Sequence, residues 1–148
     1  MLLYHCDSVF LLCRVIESSL FSPGCCKSVT LSATGAAAEK WPAFFGSFEY
    51  IGSRKDILSK EYTHTYNYWK EGSAVFRKRG HSERNENYLY DYLYRHSDGP
   101  WHVNTVIGGE GVIKSVDTAD CPDSISQWQY AGDSFASWQS GDITAKCN

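Results

Sequence analysis

The segment Tyr88-Leu89-Tyr90-Asp91-Tyr92-Leu93-Tyr94 decides the fold class. Its four tyrosines recur at every second residue, so a β-strand would place all of them on one face of a sheet and the leucines and the aspartate on the other. The next residues, Ser97-Asp98-Gly99-Pro100, are typical of a tight turn. Residues 101–106 then return toward the tyrosine segment, and we interpret the pair as a β-hairpin.

Further strand patterns lie on both sides of this hairpin. Residues 61–69 alternate between two sets of aromatic and β-branched side chains, which is the period of a strand. Residues 34–38 and 70–73 read as turns, and Gly46 inside a strand indicates a bulge or a close backbone approach. The remaining predicted strands cover residues 29–33, 44–51, 74–78, 112–116, 127–130, 135–138 and 143–147. Short strands at this spacing, with almost no helical period, predict an all-β antiparallel sandwich or barrel-like domain of about 7–10 strands.

The length of 148 residues suits one domain. Residues 1–22 differ from the rest because their apolar character is interrupted by Asp7, Arg14 and Glu17. We interpret them as a degraded signal peptide or a gene-model extension, the alternative being an amphipathic helix packed on the domain. Residues 23–148 are then predicted to form the single β-rich domain.

Charge and hydropathy exclude two classes of partner. The formal net charge is −3, so the electrostatic attraction that dominates nucleic-acid binding is absent. No apolar run reaches the roughly 18–20 residues that a membrane-spanning helix needs. We therefore expect neither a nucleic-acid partner nor a membrane span.

Cys25, Cys26, Cys121 and Cys147 are candidates for disulfide bonds. Adjacent cysteines rarely bond each other, so one of the first two would pair with Cys147 and the other with Cys121. Disulfides persist in oxidising compartments, and we expect an extracellular or secreted chain. The alternative is a set of free buried thiols. A zinc site is disfavoured, because no Cys-x-x-Cys occurs and no histidine has ligand-like spacing to a cysteine.

The order of short motifs resembles that of a small extracellular β-module of eukaryotic proteins. The resemblance covers about 120 residues and rests on Cys26 with Val29, Phe45-Gly46-Ser47-Phe48, Val75-Phe76-Arg77, Tyr88-Leu89-Tyr90, Gly99-Pro100-Trp101, Cys121-Pro122 with Trp128, Trp138 and Cys147. It implies an extracellular, non-enzymatic domain, and it implies no site residue.

Aromatic residues supply the candidate binding site. The chain has five Trp, ten Tyr and seven Phe, more than a small core needs if the tyrosine-rich segments lie on the surface. Exposed aromatic rings stack on sugars, and Tyr and Trp are enriched where proteins bind each other. The alternative is that these rings fill the core. The predicted ligand-binding residues are Tyr66, Tyr68, Tyr90, Tyr92, Tyr94, Trp101 and His102.

Enzyme and metal signatures are weak. Residues 108–111 are glycine-rich but lack the Lys-Ser/Thr of a phosphate loop, and neither a Gly-x-Ser-x-Gly nor a His-Glu-x-x-His motif occurs. Four histidines, His64, His81, His96 and His102, are potential general bases without a partner in sequence. Asp117, Asp120 and Asp123 have the oxygen ligands that calcium prefers, but a solvated loop fits their spacing better.

We therefore expect no catalytic residue, no metal and no cofactor. The leading hypothesis is a binding or adhesion module that contacts protein or carbohydrate. A purely structural extracellular domain and a small His/Asp-dependent hydrolase are the alternatives, and a cleft that joins His102, Asp91 and a second carboxylate would favour the hydrolase.

Overall fold

The computed structural model describes residues 25–53, 73–79, 90–134 and 136–148. These ranges contain nine β-strands, a six-residue helix and two short 3-10 helices. The strands are β1 (Ser28–Ala33), β2 (Gly46–Ser53), β3 (Ala74–Arg79), β4 (Tyr90–Arg95), β5 (Trp101–Asn104), β6 (Ile113–Ser115), β7 (Trp128–Ala131), β8 (Trp138–Gly141) and β9 (Ile143–Cys147). The helix α1 spans Gly35–Lys40, and the 3-10 helices span Pro42–Phe44 and Pro122–Ser124.

The strands form one antiparallel sheet in the order β8-β7-β6-β5-β4-β3-β2-β1-β9. Strands β1 to β8 follow one another as a meander, and β9 pairs with β1 at the far end of the order. Only Asp142 separates β8 from β9, so the stretch 138–147 pairs first with β7 and then with β1. This turn of the chain joins the two edges of the sheet into a nearly closed barrel. The predicted all-β fold is confirmed.

The barrel interior is filled by every second residue of its strands. One row of register partners runs from Phe76 through Leu93 and Val103 to Ile113 and Tyr130, and all five side chains are buried. The core also holds Val29, Leu31, Phe48, Trp101, Trp128 and Ile143. Apolar side chains from one face of each strand thus remove a continuous apolar surface from water, which is the main driving force for this fold.

The first end of the barrel is covered by α1 and the 3-10 helix that follows it. Ala37 and Phe44 contribute buried side chains to the core, and the indole N–H of Trp41 donates to the carbonyl oxygen of Ala131 at 2.8 Å. Of residues 34–38, predicted as a turn, Thr34 is instead the N-cap of α1 and residues 35–38 lie in the helix. The bulge lies between Tyr50 and Gly52 of β2 rather than at Gly46.

Two disulfide bonds hold the opposite end: Cys25–Cys121 and Cys26–Cys147. They are one of the two pairings that the sequence left open. Next to them the buried guanidinium of Arg95 donates to the carbonyl oxygens of Gly99 and Thr118 and pairs with Asp120 at 2.6 Å. The loop that carries Cys121 is therefore attached to the barrel by covalent and polar contacts.

Some predicted elements cannot be compared with the structure. The predicted N-terminal segment 1–22, the strand 61–69 and all but the last residue of the turn 70–73 lie outside the described residues, as do Tyr88 and Leu89. In the described part of the chain, no helix is long and apolar enough to cross a membrane.

Candidate functional site

The predicted aromatic site is distributed over both faces of the sheet. Tyr66 and Tyr68 lie outside the described residues. Trp101 points into the barrel, where its side chain is completely buried and its ring centroid lies 6.1 Å from that of Phe76. Its indole N–H donates to the carbonyl oxygen of Ala119 at 2.8 Å. Trp101 therefore belongs to the core and presents no surface to a ligand.

The tyrosines of β4 lie on the outer face, but two of them are buried there. Tyr92 and Tyr94 form a second apolar cluster with Val75 and Ile107, and Tyr90 packs against its edge. The Tyr94 hydroxyl donates to the carbonyl oxygen of Gly109, and burial raises the pKa of Tyr94 above its usual value. These rings stabilise the outer face and do not form an open platform.

Tyr90 is the member of this group that stays partly exposed. The guanidinium carbon of Arg77 lies 4.2 Å above the centre of its ring, which is a cation–π contact. Among the described residues of the predicted binding set, Tyr90 is the one that is not buried. His102 lies with a different group of side chains, which lines a groove.

That group lines a groove on the outer face of β5 to β8. Register partners place His102, Lys114, Gln129 and Ser140 in one row across these four strands. The turn between β4 and β5 adds His96 and Asp98 above the row. The groove has a volume of about 240 Å³ and is lined by His96, Asp98, Pro100, His102, Glu110, Lys114, Ser115, Val116, Gln129 and Trp138.

His102 forms the buried part of this groove, with only 5% of its surface exposed. Its Nδ1 lies 3.0 Å from the carbonyl oxygen of Glu110. Because a carbonyl oxygen can only accept a hydrogen bond, Nδ1 carries the proton of the neutral ring and Nε2 carries the lone pair. Burial lowers the pKa of His102 to about 4; the nearby His96 also lowers it, while the hydrogen bond to Glu110 opposes the shift. The imidazole is therefore neutral at physiological pH.

His96 and Asp98 are brought to His102 by the turn at residues 96–100. The backbone N–H of His96 donates to the carbonyl oxygen of Pro100 at 2.8 Å, and that of Gly99 donates back to His96 at 3.0 Å. Gly99 has φ +117°, a conformation that L side chains rarely adopt. In this turn the His96 Nδ1 lies 2.7 Å from a carboxylate oxygen of Asp98, and the His96 and His102 ring centroids are 4.9 Å apart.

Lys114 and Trp138 form the other side of the groove. The ammonium of Lys114 lies 4.1 Å from the centre of the Trp138 indole. This contact holds a cation beside a partly buried aromatic ring, with Gln129 on the strand between them. The groove thus combines an apolar surface with hydrogen-bond donors and acceptors, and it contains both positively and negatively charged side chains.

The acid–base cluster that would favour a hydrolase is not formed by Asp91 and His102. Asp91 lies on the inner face of β4, where its carboxylate pairs with Lys78 at 2.6 Å, whereas His102 lies on the outer face of β5. Two of the three aspartates considered for calcium make local contacts. Asp120 pairs with Arg95, and Asp117 accepts hydrogen bonds from the backbone and hydroxyl of Ser126.

Of the residues that line the groove, the set predicted from the sequence contained His102 but not its neighbours. Trp138, Lys114 and Gln129 come from three different strands, and their proximity depends on strand register, which no local motif encodes. The spacing His96-x-Asp98 across a turn that leads into His102 was a usable signal, because a hairpin brings the ends of its two strands together. Comparisons with protein-family models, curated proteins and solved structures find no match to this chain.

Proposed function

We propose that this chain is a secreted, non-catalytic carbohydrate-binding module, with the groove on the outer face of β5 to β8 as its binding site. The observation that supports the proposal is the composition of the groove, where Trp138 lies among side chains that donate and accept hydrogen bonds. A sugar ring has the complementary surface, because its C–H groups are apolar and its hydroxyls both donate and accept.

Different side chains of the groove would make the apolar contacts and the hydrogen bonds to the sugar. The partly buried ring of Trp138 offers apolar contact, while Lys114 and Gln129 are register partners of each other on β6 and β7. Gln129 supplies both an amide donor and a carbonyl acceptor, and Asp98 and Glu110 supply further acceptors. A few polar groups around an aromatic surface are the usual composition of a small-ligand site.

The shape of the groove favours a carbohydrate over a protein partner. A stable protein interface buries about 800 Å² on each partner and is broad, whereas this site is a concave groove of about 240 Å³. The aromatic residues that would have supplied a broad surface are packed instead: Trp101, Tyr92 and Tyr94 are all buried.

Secretion is supported by the two disulfides. Cys25–Cys121 and Cys26–Cys147 connect residues 96 and 121 positions apart and join the start of the domain to its last third. Bonds of this kind persist in oxidising compartments and are rare in the cytosol. A barrel braced in this way presents a preformed groove, which reduces the ordering cost of binding a weakly held sugar.

A glycan array with the oxidised, full-length chain tests the proposal. We expect at least one glycan class to bind, and titration calorimetry with the best ligand should show that Trp138→Ala and Gln129→Ala each weaken binding at least about tenfold. Gln127→Ala is the matched control, because Gln127 is exposed just before β7 and outside the groove, and it should bind like the parent. No bound glycan, or undiminished binding by Trp138→Ala, would overturn the assignment.

A further inference from the structure

We propose that His96, Asp98 and His102 form a binding site for a divalent transition-metal ion of the zinc class. One ligand atom from each of the three residues lies within 4.8 Å of the other two. This is the one such group of three or more potential metal ligands in the described part of the chain. The inference does not depend on carbohydrate binding, because it concerns the side chains of the turn and of β5 alone.

The tautomer of His102 supports a metal ligand. Its Nδ1 donates to the Glu110 carbonyl oxygen at 3.0 Å, so the lone pair is on Nε2 and the ring orientation is fixed. Histidines that bind metals usually donate their other ring nitrogen in this way, which holds the ring in place and raises its basicity.

The other two ligands can adjust their positions around this fixed ring. The side chains of His96 and Asp98 are 15% and 66% exposed, and both residues belong to the turn at residues 96–100 that follows β4. Two ligand atoms of a tetrahedral zinc ion are about 3.4 Å apart, given Zn–N and Zn–O distances of about 2.0–2.2 Å. Closing the cluster from 4.8 Å therefore requires side-chain rotations of His96 and Asp98 and no change in the barrel.

The ligand types select the class of ion. Two imidazoles and one carboxylate suit zinc or copper, whereas calcium and magnesium prefer all-oxygen sites with more ligands. Three protein ligands would leave one position of a tetrahedral ion open. Lys114 is the unfavourable neighbour, since its ammonium also lines the groove, and the negative charge of Asp98 offsets it.

Titration calorimetry of the oxidised full chain with zinc chloride tests the proposal directly, after alkylation of any free thiol. We expect one zinc ion per chain with a dissociation constant of about 10 µM or tighter. His96→Gln and Asp98→Asn should each weaken binding at least about tenfold. Both substitutions lie in the turn at residues 96–100, and circular dichroism should show that the fold persists. Lys114→Met should strengthen binding several-fold, because it removes a positive charge from the groove.

Asp133→Asn is the matched control for Asp98→Asn. The Asp133 carboxylate is fully exposed and pairs with Lys40, far from the cluster in sequence, so its loss should leave zinc binding unchanged. Absence of zinc binding, zinc binding that is unaffected by both His96→Gln and Asp98→Asn, or binding of calcium in preference to zinc would overturn the proposal. Because no sugar is present, this result is independent of the glycan array.

Discussion

At the scale of single residues, the Lys78–Asp91 ion pair is a charged contact inside the barrel. Both residues point inward from neighbouring strands, and the Asp91 side chain is completely buried. The Lys78 ammonium also donates to the carbonyl oxygen of Ala43 and lies 5.7 Å from the centre of the Phe48 ring. The pair thus connects β3 and β4 to the 3-10 helix that covers the first end of the barrel.

We predict that Lys78→Met lowers the free energy of unfolding by about 3 kcal/mol. The substitution preserves the apolar stem but removes the ammonium beside a buried carboxylate, and an ionised group left in an apolar interior without its partner is costly. The double substitution Lys78→Met with Asp91→Leu should recover part of that loss, because no charge is then buried. Urea unfolding followed by tryptophan fluorescence measures all three proteins.

The control for this prediction is Lys40→Met. Lys40 pairs with Asp133, which is fully exposed, and surface ion pairs contribute little to stability. The unfolding midpoint of Lys40→Met should stay at that of the parent. A double variant that recovers none of the stability lost by Lys78→Met alone would contradict the argument that charge burial dominates.

At the scale of elements, the glycine turn between β5 and β6 positions His102. Gly111 has φ +63°, and a Cβ built there would lie 2.6 Å from the Val103 carbonyl oxygen and 3.4 Å from the His102 Cβ. The same carbonyl oxygen accepts the backbone N–H of Val112 at 2.9 Å, so it cannot move away without breaking the start of the β5–β6 pairing. This turn requires glycine because of its positive φ and also because a Cβ would clash with the Val103 carbonyl oxygen.

We predict that Gly111→Ala is destabilised by about 3 kcal/mol, clearly more than Gly35→Ala. Gly35 has nearly the same backbone angle, φ +62°, but no atom lies within 4 Å of its built Cβ. Gly35→Ala therefore measures the cost of the left-handed conformation alone, about 1 kcal/mol. Thermal unfolding of both variants measures the two losses in unfolding free energy, and their difference is the cost of the steric clash with Val103. Equal losses would show that the turn relaxes freely.

The elements also show how far the sequence predicts this molecule. Alternation in 88–94 predicts a strand, and the structure confirms it for the described residues 90–94. Asp91 and Leu93 lie on the face opposite the tyrosines, because side chains in a strand alternate whatever the fold. The same pattern cannot show which face is inside. Asp91 turns out to face the core and is paired there with Lys78, whereas Tyr92 and Tyr94 are buried on the outer face.

The candidate site illustrates the same limit. His102 and Trp101 are adjacent in sequence and point to opposite faces, one into the groove and one into the core. Composition suggested that aromatic residues would form the site, yet the groove combines one tryptophan with histidines, carboxylates and a lysine from four separate segments. Strand register brings these segments together, and register depends on the packing of the whole sheet.

At the scale of the whole molecule, the barrel is closed in two ways. The stretch 138–147 pairs with β7 through its first half and with β1 through its second half, which joins the two edges of the sheet. The disulfides act at the opposite end from α1. Cys26–Cys147 links the chain two residues before β1 to the last residue of β9, and Cys25–Cys121 links the chain before β1 to the loop before β7. One bond reinforces an existing strand pair, and the other fastens a loop.

These different locations lead to a prediction about stability. In the chain-entropy account, a disulfide stabilises mainly by restricting the unfolded chain, so its effect depends on the length of the loop it closes. The loops here span 96 and 121 residues, and the weak logarithmic dependence on length makes them nearly equivalent. We predict that Cys25→Ala with Cys121→Ala and Cys26→Ala with Cys147→Ala each lower the free energy of unfolding by about 4 kcal/mol.

Urea unfolding of the two double variants under non-reducing conditions measures the effect, and non-reducing peptide mapping of the parent verifies the pairing. If the native surroundings of each bond mattered more than loop length, removing Cys26–Cys147 would lower the free energy of unfolding less than removing Cys25–Cys121. The strand pairs from Val29–Cys147 to Ala33–Ile143 would still hold β1 to β9 without that bond. A loss confined to the Cys25–Cys121 variant would therefore show that the bonds act on the native loop. Equal losses would show that they act on the unfolded chain, and that the barrel closes through its strand pairing.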